Sequence, residues 1–321
     1  MNIILVGLGG MGTVHYHSYL HVPGAKVAAA VAVSDQEKEK AARWGISVYP
    51  SITEACQCTD AQMVDICVPT FLHKQLVLES LANRRHTLVE KPIALHKKDA
   101  EEMFKAAAQH GVQLYVAQVL QFTREVEILR DIVQKRTLGA PLDACFERLS
   151  ARPAWSQGSW LMDKEKSGLI PYDLHVHDLD VIVSAFGIPV KADYTVCRDE
   201  KDPIPAQYRF AYGFAGGLHV SAEAAWFHAP IPFTARWRVY FEKGMLIYDD
   251  KGLICYHQDG SIIPYDISEP VKIPTGINLP PTGMFLRELT HFVHCAQKGI
   301  ASDRVPKEQV LAVLDVLEKT L

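Results

Sequence analysis

The first 120 residues alternate short apolar runs with segments of helical spacing. Apolar runs at residues 2–6, 27–33, 63–68, 86–89 and 112–117 are typical of buried strands. The spacing between them predicts helices over residues 11–20, 34–44, 74–82 and 99–110. A regular alternation of strand and helix predicts a doubly wound parallel sheet that is covered on both faces, so the fold class is α/β.

After about residue 120 the pattern changes. Helical spacing recurs at residues 121–136, 284–297 and 307–317, and residues 142–149 resemble a strand. Alternating segments at residues 208–214, 218–227, 236–241, 245–248 and 253–257 are separated by glycine turns, which predicts antiparallel hairpins. We therefore predict two domains. Residues 1–120 form the parallel α/β domain, and residues 121–321 form an α+β domain with a large, mostly antiparallel, open-faced sheet.

An antiparallel sheet can leave one face without a covering layer. Trp237, Tyr240 and Tyr248 could cover that face through a contact with another copy of the chain, or they could pack on the domain's own helices. The pattern favours neither alternative. The first predicts a homodimer or homotetramer that assembles through the C-terminal sheet.

Composition narrows the class of protein. The chain has 321 residues, of which 48% are hydrophobic, and its net charge of −4 offers no basic surface for nucleic acid or an anionic membrane. A strand that begins at residue 2 leaves no room for a signal peptide, and no apolar run is long enough to span a bilayer. Seven scattered cysteines are most simply reduced thiols, so we expect a cytoplasmic protein.

A glycine-rich turn follows the first strand directly. Gly7 permits the tight turn, Gly9 lets the backbone approach a pyrophosphate, and Gly12 lets the next helix pack close to the strand. The helix N-terminus would then direct its amides at the phosphates. The order of strand, glycine turn and helix predicts a dinucleotide site, although an ordinary glycine-rich turn is the alternative.

Such a site usually has an acidic residue about 20 residues further on, which bonds the ribose hydroxyls. That position falls near Ala32, which is small and neutral. Asp35 is the nearest acid, but it stands where the first turn of a helix favours an acid. If it serves only the helix, Ser34, Lys38 or Arg43 could hold a 2′-phosphate. The cofactor remains either NAD or NADP, with NAD favoured.

Glu90-Lys91-Pro92 follows another apolar strand, at the edge of a parallel sheet where ligands bind. A lysine there can donate a hydrogen bond to a substrate hydroxyl. Near a cationic nicotinamide its pKa should fall, which suits proton transfer near neutrality. The alternative is a solvated lysine at the strand end that pairs with Glu90.

A group of acids and histidines precedes the apolar run at residues 181–186, so a helix is expected through it. On a helix, Asp173 and His177 share a face, and so do His177 and Asp180. A carboxylate beside an imidazole fixes its tautomer and raises its basicity, which suits a general base or acid. An acid-rich helix start with incidental histidines would have the same pattern.

A metal site is the other interpretation of these histidines. On a strand, His175 and His177 would point to one side, as zinc ligands do. Further ligands would be needed, and the cluster of His15, His17 and His21 supplies no obvious set. We predict no metal.

Together these motifs resemble the Gfo/Idh/MocA family of NAD(P)-dependent oxidoreductases, which includes glucose–fructose oxidoreductase and inositol dehydrogenase. The resemblance covers essentially the whole chain. It depends on the glycine turn, on the segment at residues 68–73, on Glu90-Lys91-Pro92, and on residues 167–180 with Asp173 and His177. It implies a Rossmann domain and a sheet domain, with the active site between them.

The resemblance also implies that Lys91, Asp173 and His177 form the catalytic set for a secondary alcohol of a sugar, cyclitol or related polyol. The candidate cofactor-binding residues are Gly7, Leu8, Gly9, Gly10, Met11, Gly12, Ser34, Asp35, Pro69, Thr70, His73, Glu90, Lys91 and Pro92. The candidate substrate-binding residues are Lys91, Gln118, Trp160, Asp173, His175 and His177. Loops at residues 155–166 and 230–232 are expected to line the pocket.

Three positions depart from the family pattern. His175 stands where glycine is common, which suggests an extra imidazole near the substrate. Gln121 stands where arginine is frequent, and Ala32 replaces the usual acid. Two other functions stay open: a hydrolase or lyase that retains its cofactor, and a sensor that binds NAD(P) or a sugar without turnover.

Overall fold

The computed structural model describes residues 1–154, 157–277 and 279–321. The chain divides into two compact units. The first contains Met1–Phe122 and Glu269–Leu311, and the second contains Thr123–Ser268 and Ala312–Leu321. The predicted boundary after residue 120 lies beside the first of these divisions. The sequence did not indicate that Glu269–Leu311 returns to the first unit.

A six-stranded parallel sheet forms the centre of the first unit, in the order β3-β2-β1-β4-β5-β6. This order is that of a doubly wound dinucleotide-binding domain, which confirms the predicted fold class. Its strands are β1 Asn2–Val6, β2 Lys26–Val31, β3 Ser47–Tyr49, β4 Met63–Ile66, β5 His86–Glu90 and β6 Leu114–Ala117.

The helices of the first unit connect these strands. They are α1 Gly10–Tyr19, α2 Asp35–Arg43, α3 Ile52–Cys58, α4 His73–Ala82 and α5 Lys97–His110. The side chain of Ser34 caps α2, and Gly111 ends α5 in the left-handed conformation. The pattern missed β3 and α3, which are only 3 and 7 residues long.

An eight-stranded sheet forms most of the second unit, in the order β14-β13-β12-β11-β7-β10-β9-β8. Every neighbouring pair is antiparallel except β7 and β10, so the predicted sheet is confirmed. Its strands are β7 Pro141–Ala151, β8 Lys191–Cys197, β9 Gln207–Gly213, β10 His219–Phe227, β11 Thr234–Phe241, β12 Gly244–Asp249, β13 Gly252–His257 and β14 Ile262–Tyr265.

The remaining helices are α6 Arg124–Lys135, α7 Lys164–Ser167, α8 Val176–Phe186, α9 Met284–Lys298 and α10 Lys307–Thr320. In the first unit, α9 packs against α1. In the second, α8 packs against α6 and β7. Among the described residues, no helix combines the length and apolar composition that a bilayer crossing requires.

The aromatic residues of β11 lie on both faces of the second sheet. Trp237 is buried and pairs across the strands with Tyr248, whereas 47% of the Tyr240 surface is exposed. Residues three apart on a strand point to opposite faces. Trp237 therefore packs inside the unit, and Tyr248 lies opposite it on the same face. Of these three aromatic residues, Tyr240 is the one that could cover the open face. The predicted homo-oligomer and the predicted cytoplasmic location stay predictions.

Candidate functional site

The backbone of the glycine turn explains two of its glycines. Gly7 has a φ of +81°, and a Cβ there would lie 2.6 Å from the Cys67 carbonyl oxygen. A Cβ on Gly12 would collide with the Gly7 carbonyl oxygen. A Cβ on Gly9 would meet no atom within 4 Å, so this side of the turn faces open space. The turn is therefore shaped for a ligand that approaches the Gly9 backbone, and a pyrophosphate fits it.

Three candidate segments lie at one edge of the first sheet. The glycine turn follows β1, the segment with Pro69 and Thr70 follows β4, and Lys91 follows β5. Since β1, β4 and β5 are neighbouring parallel strands, their carboxyl ends lie side by side. The chain order of the sheet reverses between β1 and β4, and ligands of doubly wound folds bind at such a switch point.

His73 connects two of these segments from within. It has no exposed surface, and its ring nitrogens lie 2.9 Å from the carbonyl oxygens of Val68 and Pro92. Burial lowers the pKa of His73, although hydrogen bonds to these carbonyls oppose the shift. A fully buried ring cannot contact a cofactor. The predicted contact between the His73 side chain and the cofactor is therefore not possible, and the ring instead contacts the backbone of both segments.

On the ribose side of the site, Glu37 lies near the glycine turn in addition to the predicted Asp35 and Ser34. Asp35 is exposed, and its carboxylate forms an ion pair with Lys38 at 3.1 Å. Glu37 approaches the glycine turn, because its Oε1 accepts a hydrogen bond from the Leu8 N–H at 2.7 Å. Ser34 and Glu37 have the spacing of a helix-capping motif, and nothing in the sequence indicates the contact with Leu8.

A buried polar cluster lies under the glycine turn. His15 Nδ1 is 2.8 Å from the Asp65 carboxylate, and His15 Nε2 is 3.2 Å from the Glu90 carboxylate. The Tyr19 hydroxyl also donates to Asp65, at 2.9 Å, and the Cys67 sulfur is 3.3 Å from His15 Nδ1. Sequence reasoning grouped His15 with His17 and His21 and therefore missed the cluster, whose members come from separate elements.

Charge within this cluster favours a protonated His15. Burial by itself would lower the pKa of His15, but the Cys67 and Asp65 side chains outweigh it and hold the pKa well above its ordinary value. Burial raises the pKa of the Cys67 thiol and of the fully buried Glu288 carboxyl. Neither oxygen of Glu288 has a hydrogen-bond partner, which fits a neutral acid.

Among the described residues, three side chains of this cluster form the group that could ligate a metal ion. The ligand atoms of His15, Asp65 and Cys67 lie within 4.8 Å of one another. Their mutual hydrogen bonds already satisfy His15 Nδ1 and the Asp65 carboxylate, so the arrangement favours a proton over an ion.

Glu90 connects the cluster to Lys91. One carboxylate oxygen of Glu90 faces His15, and the other accepts a hydrogen bond from the Lys91 backbone N–H at 3.0 Å. Glu90 itself is buried, whereas Lys91 is half-buried. The cluster therefore fixes the backbone from which the Lys91 side chain projects.

In the second unit, the predicted helix begins with a π-helical segment, Pro171–His175, which α8 continues. π-helical turns are rare and occur frequently at functional sites. Asp173 and His177 are half-buried, while Asp180 is buried. The strand that the metal interpretation of His175 and His177 requires is absent here.

His175 does not serve as predicted. It has no exposed surface, its ring stacks on Phe210 at 3.9 Å, and its Nε2 lies 2.8 Å from the Tyr212 hydroxyl. Burial and the nearby Arg148 cation lower the pKa of His175 to about 3, so the ring is neutral. The predicted substrate contact of His175 is wrong, because its side chain belongs to the core of the second unit.

A buried ion pair supports the same helix. Both carboxylate oxygens of Asp178 accept hydrogen bonds from Arg148, from Nε at 2.9 Å and from Nη2 at 2.8 Å. Such a bidentate pair fixes the rotation of α8 against β7. The sequence motif contains Asp178, but nothing in it indicates an arginine 30 residues earlier.

The remaining candidate residues are divided between the two units. Gln118 and Gln121 are buried in the first unit, and Trp160 is half-buried in the 3₁₀ segment Gln157–Met162 of the second. Trp155, at the start of the predicted pocket loop, lies outside the described residues.

Two family models match most of the chain. Residues 1–118 match the model of an oxidoreductase family with an NAD-binding Rossmann fold, and residues 126–247 match the Gfo/Idh/MocA C-terminal domain. The chain belongs to the Gfo/Idh/MocA family. The first unit of this family member is thus an NAD-binding Rossmann domain, which confirms the predicted nicotinamide cofactor.

The names of curated relatives of this chain describe two kinds of activity. Myo-inositol 2-dehydrogenase of Thermotoga maritima is 26% identical over 78% of this chain and 75% of its own length. The 2,7-anhydro-N-acetylneuraminate hydratase of Escherichia coli is 31% identical over 39% of this chain. The chain spans 33% of that hydratase and 48% of a second one, from Mediterraneibacter gnavus.

Solved structures share the whole fold. Levoglucosan dehydrogenase, in complex with NADH and levoglucosan, has a TM-score of 0.84 at 17% identity and covers 100% of this chain and 96% of its own. An oxidoreductase from Agrobacterium radiobacter, in complex with NAD⁺, L-tartaric acid and magnesium, also has a TM-score of 0.84, at 18% identity over 100% of this chain and 95% of its own. At such low identity they establish the fold alone.

Proposed function

We propose that this family member is an NAD-dependent dehydrogenase that interconverts a secondary alcohol and a ketone of a sugar, cyclitol or related polyol. The observation that carries the proposal is the placement of Lys91 at the carboxyl end of β5, on a backbone that Glu90 and His15 fix. In a nucleotide-binding sheet this edge is where the reacting groups lie.

When bound along the glycine turn, NAD⁺ supplies the acceptor for the hydride that leaves the carbinol carbon. The remaining work belongs to side chains. His177 accepts the hydroxyl proton as general base, and the alcohol thereby becomes a ketone. Lys91 donates a hydrogen bond to the same oxygen and stabilises its negative charge as it develops. Asp173 orients Lys91 or His177.

Replacement of Lys91 tests this assignment. Lys91→Ala should lower turnover by about 10²-fold or more, because the donor to the reacting oxygen is lost. Binding of NADH, followed by fluorescence titration, should change little. A screen of polyols and anhydro sugars, with NADH formation as readout, first identifies the substrate. Lys105→Ala, at an exposed position of α5, is the matched control.

Normal turnover by Lys91→Ala on that substrate would contradict the role of Lys91. Binding of NADH without reduction of NAD⁺ across the whole panel would favour a sensor. His177→Ala, tested in the same way, separates the proton acceptor from the hydrogen-bond donor.

The similarity to hydratases favours one second candidate, an enzyme that retains its coenzyme. It would oxidise a sugar transiently, eliminate or add a group, and then reduce the product back. NADH release in steady state distinguishes the two functions. The dehydrogenase forms one NADH per product, whereas the internal cycle releases none.

A further inference from the structure

The end of β2 has no acidic side chain for the cofactor ribose. Val31 and Ala32, the two residues at this strand end, are apolar and buried. In dinucleotide-binding domains, an acid near this position bonds the ribose hydroxyls of NAD and disfavours the extra phosphate of NADP. The choice between the two coenzymes must therefore depend on another group in this chain.

Glu37 brings a carboxylate to the glycine turn from the first turn of α2. Its Oε1 accepts the Leu8 N–H at 2.7 Å, and its Oε2 accepts the Ser34 hydroxyl at 3.1 Å. In a standard capping box the acid at this helical position turns back to the backbone N–H of the cap residue. Glu37 instead reaches across to the turn after β1, 29 residues away.

Two lysines of α2 have other partners. Lys38 forms an ion pair with Asp35 at 3.1 Å. Lys40 Nζ donates to the Leu8 carbonyl oxygen at 2.6 Å and to the Thr13 hydroxyl at 2.9 Å. The Leu8 peptide is thus held on both sides by α2, with its N–H on Glu37 and its carbonyl oxygen on Lys40.

We infer that Glu37 is the residue that selects NAD over NADP in this protein. An ionised carboxylate has about four acceptor positions, and the contacts with Leu8 and Ser34 use two of them. The remaining positions can accept the hydrogen bonds of two ribose hydroxyls. A 2′-phosphate at the same place would bring two negative charges against the carboxylate and would offer it no donor.

The inference rests on NAD binding by the first unit, and a purely structural role for Glu37 is the alternative. Glu37→Gln separates the two, because the amide oxygen can still accept the Leu8 N–H while the negative charge is lost. Glu39→Gln, at an exposed position of the same helix, removes an equal charge away from the turn.

The experiment measures dissociation constants for NADH and NADPH by fluorescence titration, which requires no substrate. The parent should bind NADH at least about tenfold more tightly than NADPH. Glu37→Gln should reduce that ratio by about tenfold, mainly through tighter NADPH binding, and Glu39→Gln should leave it unchanged. Glu37→Ala should bind NADH more weakly than Glu37→Gln does, because the contact with the Leu8 N–H is also lost.

A parent that prefers NADPH, or a ratio that is the same in Glu37→Gln and the parent, would overturn the assignment of Glu37. The proposed hydride transfer by a dehydrogenase would survive either result, and a preference for NADPH would change only its coenzyme. Failure of the parent to bind either coenzyme would instead overturn both proposals.

Discussion

Two fully buried histidines, one in each unit, are in opposite charge states. In the first unit, His15 lies between the carboxylates of Asp65 and Glu90 and has a raised pKa. In the second, His175 lies against Phe210 and the Tyr212 hydroxyl, and its pKa is lowered to about 3.

Burial acts in the same direction on both rings, because removal from water disfavours the charged form. The partners decide the outcome. The Cys67 and Asp65 side chains favour the charged form of His15, whereas Arg148 adds a further unfavourable charge near His175. The first histidine is thus part of an ionic cluster that supports Glu90 and Lys91, and the second is a packing residue.

Substitution of the two rings by phenylalanine should separate these roles most strongly. His15→Phe leaves two buried carboxylates without their cation and should destabilise the first unit by about 3–5 kcal/mol. His175→Phe keeps the stacking on Phe210 and leaves only the Tyr212 hydroxyl unpaired, at a cost of about 1–2 kcal/mol. Urea-dependent hydrogen exchange gives the free energy of unfolding of each unit separately, from peptides of β4 for the first unit and of β9 for the second. Equal losses would contradict the comparison.

Acid should affect the second unit through His175. Its folded pKa of about 3 lies below the unfolded value near 6.5, so the unfolded chain binds the extra proton as the pH falls. Stability from this residue is complete above about pH 6.5 and is lost below it, by about 2 kcal/mol at pH 5. The same exchange measurement from pH 8 to pH 5 should show this loss in β9 of the parent and not in His175→Phe. If His175→Phe lost the same stability at pH 5, the pH dependence would belong to other groups.

A rise in pH should affect the stability of the first unit through Glu288. Glu288 has a raised pKa and stays neutral when folded, so the unfolded chain loses the proton first as the pH rises above about 4.5. Glu288→Gln should remove this dependence, which is at most about 1.4 kcal/mol per pH unit. His15 contributes in the same direction in both proteins, so the difference between their unfolding curves isolates Glu288. Parallel curves from pH 6 to pH 9 would refute a neutral Glu288.

Most strands of the two sheets were predictable because their signals are local, although the pattern missed β3, β8 and β14. β1 has the bounds that its apolar run indicates, and the glycines follow it as the motif requires. Contacts between distant segments were not predictable. Glu37 has the pattern of a helix-capping acid, and only the folded chain brings it to Leu8. His175 has the pattern of a site residue, and only the packing of its helix on β9 and β10 buries it.

By itself, the sequence determined the two kinds of sheet, the glycine turn and the strand end that presents Lys91, because hydrophobic period and turn chemistry act over a few residues. Only the tertiary structure decided which polar groups share a buried environment and which of them is charged. Charge state depends on the few ångströms around a group, and the residues that occupy this space come from elements far apart in the chain.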